Sequence, residues 1–174
     1  MSRKILLLLI VVPAFFLLPG CFVYKLSSNS IPDEMKTVNV AFFENNAPLV
    51  VSYLSLRFTE ALKARIRTTT RLSIVNGEGD ANISGAITDY RSVPVSIQAP
   101  NSNAPPIAGA QSLTLTIRVK FDYPADKTKA MSFDKTFSKS INYSGNLASQ
   151  EEALLQTLTN QIIDDIFNKA FNNW

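Results

Sequence analysis

The chain has 174 residues, with 17 Lys and Arg against 14 Asp and Glu, one cysteine and no histidine. Lacking histidine, it has no His-based triad and lacks the commonest general base and metal ligand. One cysteine leaves no intramolecular disulfide and no thiolate metal cluster, and the modest positive balance shows none of the concentrated basic runs of a nucleic-acid binder.

Arg3 and Lys4 precede an apolar run from Ile5 to Leu18, fourteen residues interrupted by Pro13. That falls short of the roughly twenty residues a membrane-spanning helix needs. A basic start, a short apolar core and the small residue Gly20 describe a secretory signal peptide over residues 1–20. The next residue is the lone Cys21, and Leu18-Pro19-Gly20-Cys21 resembles a bacterial lipobox, although Pro19 stands where a small or β-branched residue is commoner. An ordinary buried cysteine is the competing reading. Position, flanks and uniqueness favour lipidation of Cys21, and two or more acyl chains hold a protein firmly on a bilayer. Phe22-Val23-Tyr24-Lys25 carries neither an Asp after the cysteine nor an acidic cluster, which by lipoprotein sorting rules points to the periplasmic side of the outer membrane. Without residues 1–20 the chain keeps fifteen basic and fourteen acidic residues, a net charge of +1.

Residues 21–36 read as a lipidated N-terminal tether, polar with Pro32 from Asn29 to Lys36, followed by a single domain over 37–174. Val38, Val40 and Phe42 alternate with other residues in a strand, and Glu44 to Pro48 is a turn. Val51, Leu54, Phe58, Leu62 and Ile66 recur at three- and four-residue steps, predicting an amphipathic helix from Leu49 to about Thr69. Arg71–Asn76 is a short strand, so a right-handed βαβ unit with parallel strands is expected. Ala81 to Val93 is the next strand, its alternation slipping near Asp89-Tyr90 as at a bulge.

Pro94 to Gln111 contains Pro94, Pro100, Pro105 and Pro106 and reads as a long loop. In Ser112–Tyr123, Leu113, Leu115, Ile117, Val119 and Phe121 share one face, while Thr114, Thr116, Arg118 and Lys120 share the other. Met131 to Tyr143 alternates again, with Lys135 and Lys139 on the side of Phe133 and Phe137. Inward lysines guard an edge strand against pairing, or cover an acidic ligand. Ser149 and Glu152 match a capping box. The helix they open carries Leu155, Leu158, Ile162, Ile166, Ala170 and Trp174 on one stripe. The plan is α+β in two layers: a mostly antiparallel sheet of four or five strands, covered on one face by two long helices.

Tyr24 and the segment Ile31 to Val50 resemble the LptE family of lipopolysaccharide-assembly lipoproteins, of the Bacteroidetes type. So do Phe58-Thr59-Glu60-Ala61-Leu62-Lys63, Leu72-Ser73-Ile74-Val75-Asn76 and Ile166 to Trp174. The resemblance implies a small sheet with two helices and a non-enzymatic role without cofactors. It also implies a place inside the outer-membrane barrel LptD, with a part in delivering lipopolysaccharide.

Cations opposite phosphates with apolar surface nearby are what a lipid-A-like ligand asks for. Arg118 and Lys120, Lys135 and Lys139, and Arg91 on the neighbouring strand form the candidate cluster. Alternation sets the first pair on the opposite side from the second, so edge protection by Lys135 and Lys139 ranks above ligand binding. The competing classes are a scaffold for another barrel or secretion pore, and a hydrolase using a carboxylate pair. The adjacent carboxylates Asp33-Glu34, Glu151-Glu152 and Asp164-Asp165 are neighbours that diverge rather than converge on one atom.

Overall fold

The computed structural model describes residues 31–49, 51–95 and 109–171. The signal peptide, Cys21, Trp174 and most of the Pro-rich loop lie outside them.

Six strands form one sheet: β1 (Thr37–Val40), β2 (Glu44–Asn45), β3 (Ser73–Val75), β4 (Ala81–Pro94), β5 (Ala110–Asp122) and β6 (Phe133–Ser144). Two helices, α1 (Leu54–Thr69) and α2 (Glu151–Phe171), complete the fold. The strand order is β3-β1-β4-β5-β6, with β2 continuing beyond β1 along the same side of β4. The long pairs β4–β5 and β5–β6 are antiparallel, whereas β1 runs parallel to β3 and β4. The architecture is α+β with a mostly antiparallel sheet, and β1–α1–β3 is the expected parallel unit.

The alternation in β5 determines the layers. Leu113, Leu115, Ile117, Val119 and Phe121 are buried against the helices. The same face takes Val38 and Val40 from β1, Ile83, Ile87 and Tyr90 from β4, and Phe137 from β6. Leu54, Phe58, Leu62 and Ile66 cover it from α1, and Leu155, Leu158, Ile162, Ile166 and Phe171 from α2. Each such side chain contributes about 1.5–3 kcal/mol by leaving water. Two ion pairs join the helices, Arg57–Glu152 at 2.7 Å and Arg65–Asp164 at 3.1 Å.

Local details depart from the sequence reading in three places. Glu44 and Asn45, expected in a turn, form β2 instead: the Ala41 and Asn46 amides donate to the Ile83 and Ile87 carbonyls and keep the chain beside β4. Phe42, expected beside Val38 and Val40, is exposed. Phe43 is buried there, its amide donating to the Thr59 hydroxyl. Helix α1 starts at Leu54 rather than Leu49: residues 47–49 form a bend around Pro48 and residues 52–53 a turn before the helix. The expected bulge is present, its register shift lying between Ile87 and Asp89.

The capping box is absent. Asn146, not Ser149, caps a short 3-10 turn over Leu147–Ser149, accepting from the Ala148 amide. Glu152 reaches Arg57 instead of its own helix terminus.

Candidate functional site

Among the described residues only one face of the sheet is covered by helices; the opposite face carries the polar halves of β4, β5 and β6. Across β5 and β6 the Thr114 and Ser140 hydroxyls lie 2.8 Å apart, and those of Thr116 and Ser138 2.9 Å apart. These small side chains satisfy one another across the strand pair.

Arg118 follows on the same face of β5. Its Nε and Nη2 each donate to a carboxylate oxygen of Asp134 at 2.8 Å, a two-point pairing that fixes the guanidinium plane. That hydrogen bonding, ahead of the opposing effect of desolvation, holds the Asp134 carboxyl below the usual carboxylate range, and nearby Arg118 and Lys120 charges add to it. Lys120 is paired in register with Asp134 across the strands. Beside them the side chain of β4 shrinks to Gly85 and Ala86. The result is a depression of about 300 Å³ lined by Asn46, Gly85, Ala86, Thr88, Arg118, Lys120 and Asp134. Gly85 is obligatory here: a Cβ would sit 2.1 Å from the Arg118 carbonyl oxygen and 2.6 Å from the Phe43 ring. Phe42 is 57% exposed at the step between β1 and β2.

Arg91 shares this face, opposite Thr114 in register, and its Nη1 lies 3.0 Å from Asp89. The five candidate cations are therefore not one patch. Arg91, Arg118 and Lys120 share the open face; Lys135 and Lys139 lie on the helix side of β6. Lys139 pairs with Asp165 of α2 at 2.8 Å, and the Lys135 ammonium lies 5.3 Å from the Phe137 ring centroid. Nor is the open face strongly cationic, since Asp89, Asp122 and Asp134 alternate with its three cations. Sequence alternation identifies the two sides; the carboxylates that meet Arg118 and Lys139 are set by strand register and helix packing.

The carboxylate neighbours part company. Asp164 meets Arg65 while Asp165 meets Lys139. Glu151 accepts from the Tyr90 hydroxyl at 2.5 Å while Glu152 meets Arg57. A second depression, about 400 Å³, is lined by Tyr53, Leu56, Arg57, Glu60 and Glu152. Its two carboxylates are each held by a cation, Glu60 by Lys63 at 2.9 Å and Glu152 by Arg57 at 2.7 Å, and both side chains are more than half exposed. They lack the apolar burial that sets one carboxyl of a catalytic pair apart as the acid. Among the described residues no group of three His, Cys, Asp or Glu side chains is placed to hold a metal.

The family described as "LptE: Lipopolysaccharide-assembly" matches residues 35–170. No curated protein matches the sequence. Among solved structures, a protein of Xanthomonas campestris superposes with a TM-score of 0.54 at 10% identity, covering 79% of this chain and 84% of its own. A hypothetical protein of Chlamydia trachomatis gives 0.51 at 10% identity, covering 78% of this chain and 98% of that one. The rare lipoprotein B of Shewanella oneidensis gives 0.46 at 9% identity, covering 77% and 90%. At these identities the first two likenesses concern the fold.

Proposed function

The chain belongs to the LptE family of lipopolysaccharide-assembly proteins, and we propose that it works as the tethered partner of an LptD-like outer-membrane barrel. The family is one of non-enzymatic lipoproteins. In the proposed role, acyl chains on Cys21 hold the domain at the periplasmic side of the outer membrane. Ile31 is already packed in the core, so the chain between it and Cys21 spans at most about 35 Å when extended. That length keeps the domain beside the membrane in which a barrel sits.

The observation that carries the barrel partnership is the open face of the sheet. It is hydroxyl-rich, with paired cations and carboxylates. Barrel interiors are polar, and a hydroxyl-rich, charge-balanced surface offers them hydrogen-bond partners without burying a net charge. The test is co-purification of the tagged full chain from detergent-solubilised outer membrane. An LptD-like barrel recovered in equal amount supports the proposal. A different barrel or a secretion pore in its place would replace it with the scaffold reading.

Direct contact with lipopolysaccharide is a second reading, favoured by the depression beside Arg118. A guanidinium has five N–H donors; Asp134 takes two, and three remain for a phosphate. Lys120 on the same rim adds a second cation, with Arg91 further along the face. Lys135 and Lys139 join this contact only from the other side of the sheet.

A further inference from the structure

Strand β6 is an edge of unusual openness. It has twelve residues, pairs only with β5 among the described residues, and holds a continuous register from Ser144 to Phe133 without a bulge. It contains neither Pro nor Gly. Of the devices a strand carries in its own sequence to close an edge, short length, bulges, proline and inward charge, the described β6 has only the last, in Lys135 and Lys139. The opposite edge, β3, is only three residues long.

The two lysines do not block all pairing; they select among partners. Suppose two copies joined β6 to β6 antiparallel, keeping both helix layers on one side of a continuous sheet. Registers centred on Lys135, Phe137 or Lys139 would set lysine opposite lysine. Those centred on Thr136 or Ser138 would set a lysine against Phe137 or Ile141. Like charges directly opposite destabilise a strand pair, so self-association is disfavoured. A strand with carboxylates at the same places is favoured instead. Lys139 already shares its charge with Asp165, so the discriminating cation is Lys135. It is exposed, and among the described residues it is in contact with the Phe137 ring and with no carboxylate.

We propose that the free edge of β6 accepts an extended segment of a partner protein that bears carboxylates on one face, adding a strand to the sheet opposite Lys135. Main-chain hydrogen bonds supply the affinity in this mode of recognition, and alternate side chains supply the choice of partner. The inference does not depend on the barrel partnership and survives if that fails.

The probe is a synthetic strand peptide of about ten residues, alternating Thr and Val, with two Val four positions apart replaced by Glu. A second peptide carries Lys at those positions. Binding to the purified full chain in detergent is measured by calorimetry, and amide hydrogen exchange is followed along residues 133–144. The Glu peptide is expected to bind at least about tenfold more tightly than the Lys peptide and to slow exchange along β6. Lys135→Glu reverses the preference and Lys135→Gln abolishes it; both leave the Lys139–Asp165 pair in place. Equal binding of the two peptides overturns the proposal. So does binding that leaves β6 exchange unchanged, or a preference that persists in Lys135→Glu.

Discussion

Thr37 and Asp80 lock each other in place across 43 residues of chain. The Thr37 amide and hydroxyl both donate to Asp80 Oδ2, at 2.9 and 2.8 Å, and the Asp80 amide donates back to the Thr37 hydroxyl at 2.9 Å. The Lys36 amide adds a third bond to the same carboxylate oxygen. The point where the tether enters the sheet is thus tied to the turn before β4. Backbone hydrogen bonding from Lys36, followed by the Thr37 hydroxyl and amide, holds the Asp80 carboxyl below its ordinary value.

A carboxyl depressed in the folded state binds protons more readily once the chain unfolds, so stability rises with pH through that window. Asp126 is lowered chiefly by the Thr128 hydroxyl, and Asp134 by Arg118. Together with Asp80 they contribute stability that is present above about pH 4, the unfolded carboxylate value, and is lost as pH falls below it. Asp80→Asn should lower the urea midpoint at pH 7 and flatten its fall on acidification. Exchange of the Lys36 and Thr37 amides should quicken before global unfolding. A variant with unchanged acid dependence would remove Asp80 from this account.

Gly85 is where β4 lets Phe43 into the core. Gly85→Ala drives a methyl into the Arg118 carbonyl and the Phe43 ring, which packs edge-on against Phe58 with centroids 4.9 Å apart. Overpacking of this kind costs about 1–3 kcal/mol, and contact with backbone rather than a side-chain tip puts it at the upper end. Gly77 is the control. Its φ is +95° and a Cβ there meets nothing within 4 Å, so Gly77→Ala pays only the left-handed backbone cost, about 1–2 kcal/mol. Urea denaturation of the two variants should rank Gly85→Ala as the more damaging.

What was legible in the sequence follows from which interactions are local. The faces of β5 and β6 were readable because one side is buried and the side-chain period is two. The stripe of α2 was readable at period 3.6 for the same reason. Strand β2 was not: Glu44 and Asn45 carry no strand preference, and the sheet claims them through the flanking amides of Ala41 and Asn46. The motif Ser149 to Glu152 was a true local signal overruled by tertiary partners, Tyr90 for Glu151 and Arg57 for Glu152. At the candidate site, alternation separated Arg118 and Lys120 from Lys135 and Lys139. It gave no hint that Asp165, on a distant helix, would meet Lys139.

Tyr90 fastens the first turn of α2 to β4. Burial raises its hydroxyl pKa first, and the hydrogen bond to Glu151 adds to the rise. For an acid whose folded value is raised, the unfolded chain ionises first, so the contribution is complete below about pH 10 and is lost as pH climbs above it. Tyr90→Phe removes a bond to a charged acceptor, a loss of about 1.5–3 kcal/mol at neutral pH. It should also reduce the loss of stability between pH 9 and 11, a window bracketing the free phenol value of about 10. Thermal melts across that range provide the measurement. Tyr143→Phe is a useful comparison, because its hydroxyl bonds Gln111 and Ser92 at 2.7 and 2.6 Å without a carboxylate.

The charged groups of the open face allow the ligand reading to be separated from the purely structural one. Arg118→Glu with Lys120→Glu converts the rim of the depression from two cations and one anion to three anions. A phosphate-bearing lipid should then bind several-fold more weakly, since like charges at a contact oppose association. Lys63→Glu with Arg67→Glu makes the same change in net charge on α1, away from the sheet, and controls for long-range electrostatics. Lys135→Glu with Lys139→Glu tests the helix side of β6 and should also exceed the α1 pair if that side contributes. Each variant is first checked by urea denaturation, because Arg118 loses its pairing with Asp134 and Lys139 its pairing with Asp165. Binding of purified lipopolysaccharide is then measured at two salt concentrations. The largest loss, with the strongest salt dependence, is expected for the Arg118 and Lys120 pair. A larger loss from Lys135 and Lys139 would move the contact to the other side of the sheet, and equal losses from all three pairs would leave lipopolysaccharide without a defined site on this domain.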